Sequence, residues 1–150
     1  MKKRRRSQKR VLPKAQILEG FGVDVSYRSS HKLRRAFELF LQTFPQSPRI
    51  VELRFVRSDE MKSLNRRFRG KNKATDVLSF KLSDSLLGSV VIDLDTAAKQ
   101  AKIYRHRLDD EVLELFIHAL LHLLGMDHHN HAEADLMKVY ENYFIKKLKA

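Results

Sequence analysis

The chain has 150 residues, which is enough for one domain with a substantial hydrophobic core. It contains no cysteine, so any metal must be bound by histidine or carboxylate ligands, and the composition suits a reducing cytoplasm. The net charge of +12 is uneven, because residues 1–75 carry 21 basic and 6 acidic side chains whereas residues 76–150 carry 9 and 12. Such a basic half predicts a polyanionic partner, most often nucleic acid; the alternative is simply a soluble, highly charged surface.

Residues 1–10 read MKKRRRSQKR, with seven basic and no acidic side chains. We predict a flexible basic arm that contacts phosphate, and a disordered solubilising tail is the alternative. A signal peptide is not expected, because Pro13, Lys14 and Glu19 interrupt the segment that would have to be apolar. No apolar run approaches about 18 residues, so no segment is expected to span a membrane. Residues 11–150 are predicted to form a single domain.

The first elements predicted after the arm are a strand, a helix and a second strand. Residues 21–27 (FGVDVSY) alternate in the manner of a strand, and Ser29 or Ser30 is expected to cap the following helix. That helix carries a single apolar stripe and ends at Pro45. Residues 49–57 predict the second strand, because they are rich in β-branched and aromatic side chains.

A second helix, capped by Ser58 or Asp59, is predicted to end at Gly70. Its end lies in the basic cluster 65–73 (NRRFRGKNK). These cations suit the negative end of a helix dipole, which is the plainest explanation for them.

The second half begins with two predicted strands, 76–80 and 88–93, and a helix that runs from Asp95 or Thr96 to about His106. An apolar helix with acidic residues at its start follows. The terminal helix is predicted to turn these apolar side chains inward: Leu136, Val139, Tyr140, Tyr143, Phe144 and Leu148. Four strands and about five helices that do not strictly alternate predict an α+β domain, with the apolar helix at its centre.

Three of the four histidines in the apolar stretch 113–129 (LELFIHALLHLLGMDHH) have a distinctive spacing. His118 and His122 are four residues apart, so they lie on one face of a helix, and Gly125 suits the turn that brings His128 back toward them. Three buried imidazoles without a shared partner would leave nitrogens unpaired, at about 1–3 kcal/mol each. Three neutral imidazoles with an open fourth position are instead typical of a catalytic site for one Zn²⁺ ion.

The spacing also matches the metzincin pattern of metalloproteases, with one departure. Ala119 stands where that pattern has the glutamate that acts as general base. His129 and His131 are close enough in sequence to compete as the third ligand, but His128 has the metzincin offset from the glycine. Asp127 is either a turn residue or a group that orients a ligand imidazole.

Two segments of the chain resemble the YbeY family of bacterial endoribonucleases that mature rRNA. One is 64–80 (LNRRFRGKNKATDVLSF), and the other is 118–128 (HALLHLLGMDH), followed by Glu133, Met137 and Glu141. The resemblance extends from about residue 50 to the C-terminus. Both motifs in this order are far more specific than the histidine spacing alone.

The resemblance implies a zincin-like α+β fold and one Zn²⁺ bound by His118, His122 and His128. It implies cleavage of single-stranded RNA, with a role in rRNA processing on the ribosome or a ribosomal subunit in the cytoplasm. It also implies that residues 11–150 form a metal-dependent endoribonuclease domain. Arg69 matches the family's functional arginine, and a guanidinium suits phosphate recognition. The nucleophile could be water or the substrate 2′-OH.

The chain departs from the family pattern at five positions. Phe68 replaces a tyrosine, Ala74 a proline, Ala119 a glycine and Met126 an aromatic residue, and these changes look tolerable for packing. Ser89 replaces an aspartate that often follows the strand glycine, so no carboxylate can act there.

Two other functions fit the same motifs. One is a zinc metallopeptidase in which Glu133 or Glu141 replaces the missing base. The other is a non-catalytic RNA- or ribosome-binding factor with a structural zinc. Outside the zinc motif, His31 and His106 are expected at the surface.

Overall fold

The computed structural model describes residues 12–126 and 130–149. Within these ranges the chain forms four strands: β1 (Gln16–Phe21), β2 (Ile50–Val56), β3 (Val77–Phe80) and β4 (Gly88–Asp93). The same ranges contain five helices: α1 (Lys32–Thr43), α2 (Ser58–Arg69), α3 (Leu94–Tyr104), α4 (Leu108–Leu123) and α5 (His131–Lys149). The α+β architecture expected from the sequence is therefore confirmed.

The four strands form one mixed sheet in the order β1-β2-β4-β3. β1, β2 and β4 are parallel, whereas β3 pairs antiparallel with β4 and forms one edge. The register aligns Leu18 with Glu52, Glu52 with Ser89, and Ser89 with Phe80. Since side chains alternate along each strand, these four residues form one row across a single face of the sheet.

The main core lies on the opposite face of the sheet, where α4 is the central helix. α4 contacts β3, β4, α1, α3 and α5. It is almost wholly apolar, so it buries side chains around most of its circumference, Phe116 and Leu120 among them. Five phenylalanines are fully buried in this core or beside it: Phe37, Phe40, Phe55, Phe116 and Phe144.

Helix α2 covers part of the other face of the sheet. Its Met61 packs with Val56, Leu78 and Val91 in a small second cluster. Gly70 ends the helix with φ of 68°, the left-handed conformation expected of a glycine at this position. No helix within the described residues has the length and apolar character needed to cross a membrane.

Three kinds of prediction about the elements were wrong: the first strand, the helix caps and the inward face of α5. The residues at the caps of α1 and α2 are His31 and Arg57, in place of the expected Ser29 or Ser30 and Ser58 or Asp59. The first strand is Gln16–Phe21 and not 21–27, because Gly22 and Asp24, the latter with φ of 57°, carry the chain into a turn. The cap of α3 is Asp93 and not Asp95 or Thr96, since the Asp93 carboxylate accepts a hydrogen bond from the Thr96 backbone N–H at 3.2 Å. A strand's last residue thus doubles as a helix cap.

The third error concerns the inward face of α5. Met137, Phe144 and Leu148 are its buried residues, whereas Leu136, Val139 and Tyr143 are 48%, 64% and 43% exposed. Because this helix carries apolar residues on more than one side, the sequence alone did not identify the face that packs on α1 and α4.

Candidate functional site

His118 and His122 lie on the face of α4 that looks toward β3 and α5. The Nδ1 atom of His118 is 2.8 Å from a carboxylate oxygen of Glu141 on α5. The Nδ1 atom of His122 is 2.8 Å from the hydroxyl oxygen of Ser79 on β3. The structure therefore brings together two of the predicted ligands and gives each ring a partner from another element.

These partners fit a metal site. A histidine that binds a metal usually donates its other ring N–H to a carboxylate or another oxygen, which fixes the tautomer and the ring orientation. When Nδ1–H is donated to Glu141 or Ser79, Nε2 carries the lone pair that a metal ion would take. The two imidazoles on α4 are thus oriented as donors that could bind a divalent transition-metal ion.

The turn after α4 agrees with the sequence prediction as far as the structure describes it. The helix ends at Leu123, and Gly125 follows with φ of 105°. His128, the predicted third ligand, lies with Asp127 and His129 outside the described residues, so its role remains a prediction. His131, the other candidate, is an exposed residue at the start of α5.

Arg69, the predicted catalytic residue, lies at the end of α2 and reaches the same strand. Its Nη2 atom donates a hydrogen bond to the backbone carbonyl of Ser79 at 3.1 Å. Ser79 is 8% exposed and contacts Arg69 through its carbonyl and His122 through its hydroxyl. A cleft of about 290 Å³ is lined by both sets of residues, with Lys71 and Lys73 on the side of Arg69.

The basic loop beside the cleft, residues 71–73, is held in place by a buried residue of α2. Asn65 is 3% exposed, and its side-chain amide donates to the carbonyl of Lys73 at 2.8 Å. The Lys71 backbone N–H bonds back to the carbonyl of Asn65. One buried residue, Asn65, therefore holds both ends of the segment 71–73, through its side-chain amide and its backbone carbonyl, and this segment places two cations on the wall of the cleft.

A second cluster lies at the start of α4. His106, Glu111 and Glu114 each offer a ligand atom, and these atoms lie within 4.8 Å of one another, so the group could hold a metal ion. The expectation of a surface His106 was wrong: its side chain is 19% exposed and Nε2 is 2.6 Å from a Glu111 oxygen. Burial raises the pKa of Glu111, nearby Glu114 and Asp76 add to the rise, and the hydrogen bond with His106 opposes it.

Sequence reasoning missed the hydrogen bonds of Ser79 and Glu141 with the two histidines and that of His106 with Glu111. The sequence did indicate that Glu111 lies on the same face of α4 as His118, because the two residues are seven positions apart. Ser89 faces away from the cleft, on the opposite side of the sheet, and its hydroxyl donates to Glu52 at 2.8 Å. An aspartate at position 89 would therefore lie away from the histidine cleft.

The fold and the cleft define a small α+β protein with a histidine-lined, basic site suited to phosphate esters. The family model described as "Endoribonuclease YbeY" matches residues 23–149. The chain therefore belongs to the YbeY endoribonuclease family and is an enzyme of the RNA-cleaving class.

Individual relatives agree. The chain is 48% identical over 101 residues to Endoribonuclease YbeY of Nautilia profundicola, covering 65% of this chain and 71% of that one. It is 42% identical over 108 residues to the Alkaliphilus metalliredigens protein of the same name, covering 65% and 70%. The solution structure of TM1509 from Thermotoga maritima superposes with a TM-score of 0.61 at 26% identity, covering 88% of each chain.

Proposed function

We propose that the protein is a zinc-dependent endoribonuclease that cuts single-stranded RNA during rRNA processing and ribosome maturation in the cytoplasm. One observation supports this most directly: Ser79 joins Arg69 and His122 in a single cleft. The phosphate-binding guanidinium and the metal-ligating imidazole are thereby fixed relative to each other. His118, His122 and His128 are the proposed ligands of one Zn²⁺ ion.

Each group of residues in the cleft has a separate proposed role in phosphodiester cleavage. A zinc ion, when bound, supplies Lewis acidity to a phosphoryl oxygen or to water. Arg69 is placed to pair with the phosphate and to stabilise the charge that grows on it. Lys71 and Lys73 attract the RNA strand to the cleft. Glu141 and Ser79 hold the two imidazoles in their ligating orientation.

Among the described residues that line the cleft, none is a carboxylate at the place of the metzincin base, since position 119 is alanine. Asp76 lines the cleft, but its oxygens accept hydrogen bonds from the Val77 backbone N–H at 2.8 Å and from the Gln100 amide at 3.3 Å. Glu141, an alternative base for a peptidase, is bonded to His118 instead. The arrangement therefore favours phosphodiester chemistry over peptide hydrolysis.

Residues 1–10 are proposed to act as a basic arm that contacts RNA phosphates beside the domain formed by residues 11–150. The proposed larger partner is the ribosome or a ribosomal subunit. The +15 charge of residues 1–75, the difference between 21 basic and 6 acidic side chains, supports a polyanionic partner of this kind.

Cleavage of a labelled single-stranded RNA by zinc-loaded protein tests the proposal, with the same sequence in a duplex beside it. His122→Ala is expected to lose both zinc and cleavage. Arg69→Ala is expected to keep zinc and to cleave about 10²-fold more slowly, because it removes charge stabilisation from the transition state. Arg66→Ala removes the same charge from α2 without lining the cleft, and it should retain the wild-type rate constant.

Equal cleavage by wild type, His122→Ala and Arg69→Ala would identify a contaminant and defeat the proposal. A wild-type protein that binds zinc and RNA without cutting would favour a binding factor with a structural metal. Turnover of peptides without turnover of RNA would favour a metallopeptidase.

A further inference from the structure

The face of the sheet opposite α4 is only partly covered. Helix α2 packs over Val56, Leu78 and Val91. Of the row formed by Leu18, Glu52, Ser89 and Phe80, Phe80 packs against the same cluster, whereas Leu18 at the other end is 49% exposed. A groove of about 390 Å³ runs along this row, with Leu64, Arg67 and Phe68 of α2 as its wall. The volume falls in the range of pockets that hold small organic groups such as nucleobases.

Two aromatic rings form one corner of this groove. The Phe68 and Phe80 rings stack with centroids 4.5 Å apart and planes inclined by 15°. Phe68 is nevertheless 42% exposed, so the stacked pair presents ring surface to solvent instead of filling the core. A flat, supported aromatic ring beside cationic side chains is the usual platform on which single-stranded nucleic acids stack their bases.

The charges around the groove suit a nucleotide. Arg54 is fixed by an ion pair with Glu60, with Nε and Oε2 2.8 Å apart, and Arg67 lies beside Phe68 on α2. Glu52 accepts the hydroxyl of Ser89 at 2.8 Å, so a carboxylate lies on the floor where it can accept a hydrogen bond from a base. The groove thus combines an apolar platform, guanidinium groups and an acceptor.

The groove and the histidine cleft lie on opposite faces of the sheet, and both reach its edge strand β3, where two pairs of adjacent residues separate them. Arg69 lines the cleft while Phe68 lines the groove, and Ser79 lines the cleft while Phe80 lines the groove. The alternation along β3 places one side chain of the edge strand on each face of the sheet. An RNA strand that leaves the cleft past Arg69 and crosses this edge would therefore meet Phe68.

We propose that the Phe68–Phe80 pair is a base-stacking subsite for the single-stranded RNA that extends from the cleavage site. The proposal rests on the function proposed above and deepens it. We infer that RNA binds this face of the sheet, and the competing explanation is that a protein partner binds there. Because stacking is tolerant of sequence but stronger for larger rings, the subsite should favour adenine over uracil.

The test is fluorescence anisotropy with labelled 12-nucleotide oligoadenylate and oligouridylate, in chelator so that neither RNA is cut. Phe68→Leu is expected to weaken binding of oligoadenylate about 5- to 10-fold, because one base loses its aromatic platform. It should also remove most of the preference for oligoadenylate over oligouridylate. Phe68→Tyr keeps the platform and should restore both. Tyr143→Leu is the matched control, since Tyr143 is 43% exposed but lies on α5.

Thermal unfolding of each variant shows that the fold is intact before binding is compared. Wild-type affinity and preference in Phe68→Leu would overturn the proposal and leave the groove to a protein partner. An equal loss in Phe68→Leu and Phe68→Tyr would also overturn it, since a tyrosine ring stacks as well. Binding needs no cleavage, so a protein that binds through Phe68 but cuts nothing would defeat the proposed function alone.

Discussion

Glu141 and Ser79 each form a hydrogen bond with one imidazole of the proposed metal centre, and neither is among its proposed ligands. Loss of such an orienting partner typically costs 10–100-fold in metal affinity, because the ring must be ordered at the moment of binding. We therefore expect Glu141→Gln and Ser79→Ala to bind zinc about 10-fold or more weakly than the wild type. Competition with a chromophoric chelator measures the affinity directly.

The control for Glu141→Gln is Asp135→Asn, which removes the same charge from an exposed position of α5. Its zinc affinity should match the wild type. Equal affinities for wild type, Glu141→Gln and Ser79→Ala would show that the two hydrogen bonds do not orient metal ligands.

Individual residues differ in how far the sequence could predict their roles. The spacing of His118 and His122 alone placed them on one helix face, because four residues make about one turn. Their partners could not be read in this way, since Ser79 is 43 positions from His122 and Glu141 is 23 from His118. The prediction for His106 failed for a different reason: Glu111 is only five positions away, but only the fold shows that Glu111 turns toward it.

At the scale of elements, the end of α4 carries a conformational requirement that only glycine meets easily. Gly125 has φ of 105°, and a Cβ added there would meet nothing within 4 Å, so backbone strain and not crowding opposes substitution. We expect Gly125→Ala to lower the free energy of unfolding by about 1–3 kcal/mol. It should also weaken zinc binding, because this turn leads to His128.

Gly70→Ala is the matched variant, since Gly70 also has positive φ, 68°, and also has open space around it. It should cost about 1–2 kcal/mol of stability while leaving zinc affinity unchanged, because Gly70 ends α2 and not the histidine helix. Chemical denaturation in chelator and zinc titration separate the two effects. Unaltered zinc affinity in Gly125→Ala would show that the turn does not position a ligand.

The elements themselves were predictable where one signal dominated. The continuous apolar character of α4 identified it as the central helix, and Gly70 and Pro45 marked helix ends. Prediction failed where two patterns competed. The alternation at 21–27 imitates a strand, but the sheet pairs Gln16–Phe21 with β2 in parallel register, and only the partner strand reveals that choice. The buried face of α5 depends in the same way on α1 and α4.

For the whole molecule, the two faces of the sheet have separate tasks. One face packs against α4, which shares a single hydrophobic core with α1 and α5 and carries the histidines, while the other face carries α2 and the proposed stacking groove. Composition predicted a nucleic-acid partner from the basic first half, but it could not show where the charge acts. The fold answers part of that question, because the end of α2 brings Arg69, Lys71 and Lys73 to the cleft.

The proposed basic arm, residues 1–10, should add to the electrostatic part of RNA binding. The salt dependence of RNA affinity measures this contribution. Each phosphate contact with single-stranded RNA contributes a slope of about −0.7 to the logarithm of affinity against the logarithm of salt concentration. A triple substitution of Arg4, Arg5 and Arg6 to alanine should therefore make the slope shallower by up to about 2. Replacing Lys146, Lys147 and Lys149 by alanine removes three positive charges from the end of α5 instead and should leave the slope unchanged.

The binding is measured by anisotropy in chelator with an oligonucleotide long enough to reach beyond the cleft. Identical slopes for the two triple variants would mean that the arm is a solubilising tail, and that the polyanion is held by the domain alone.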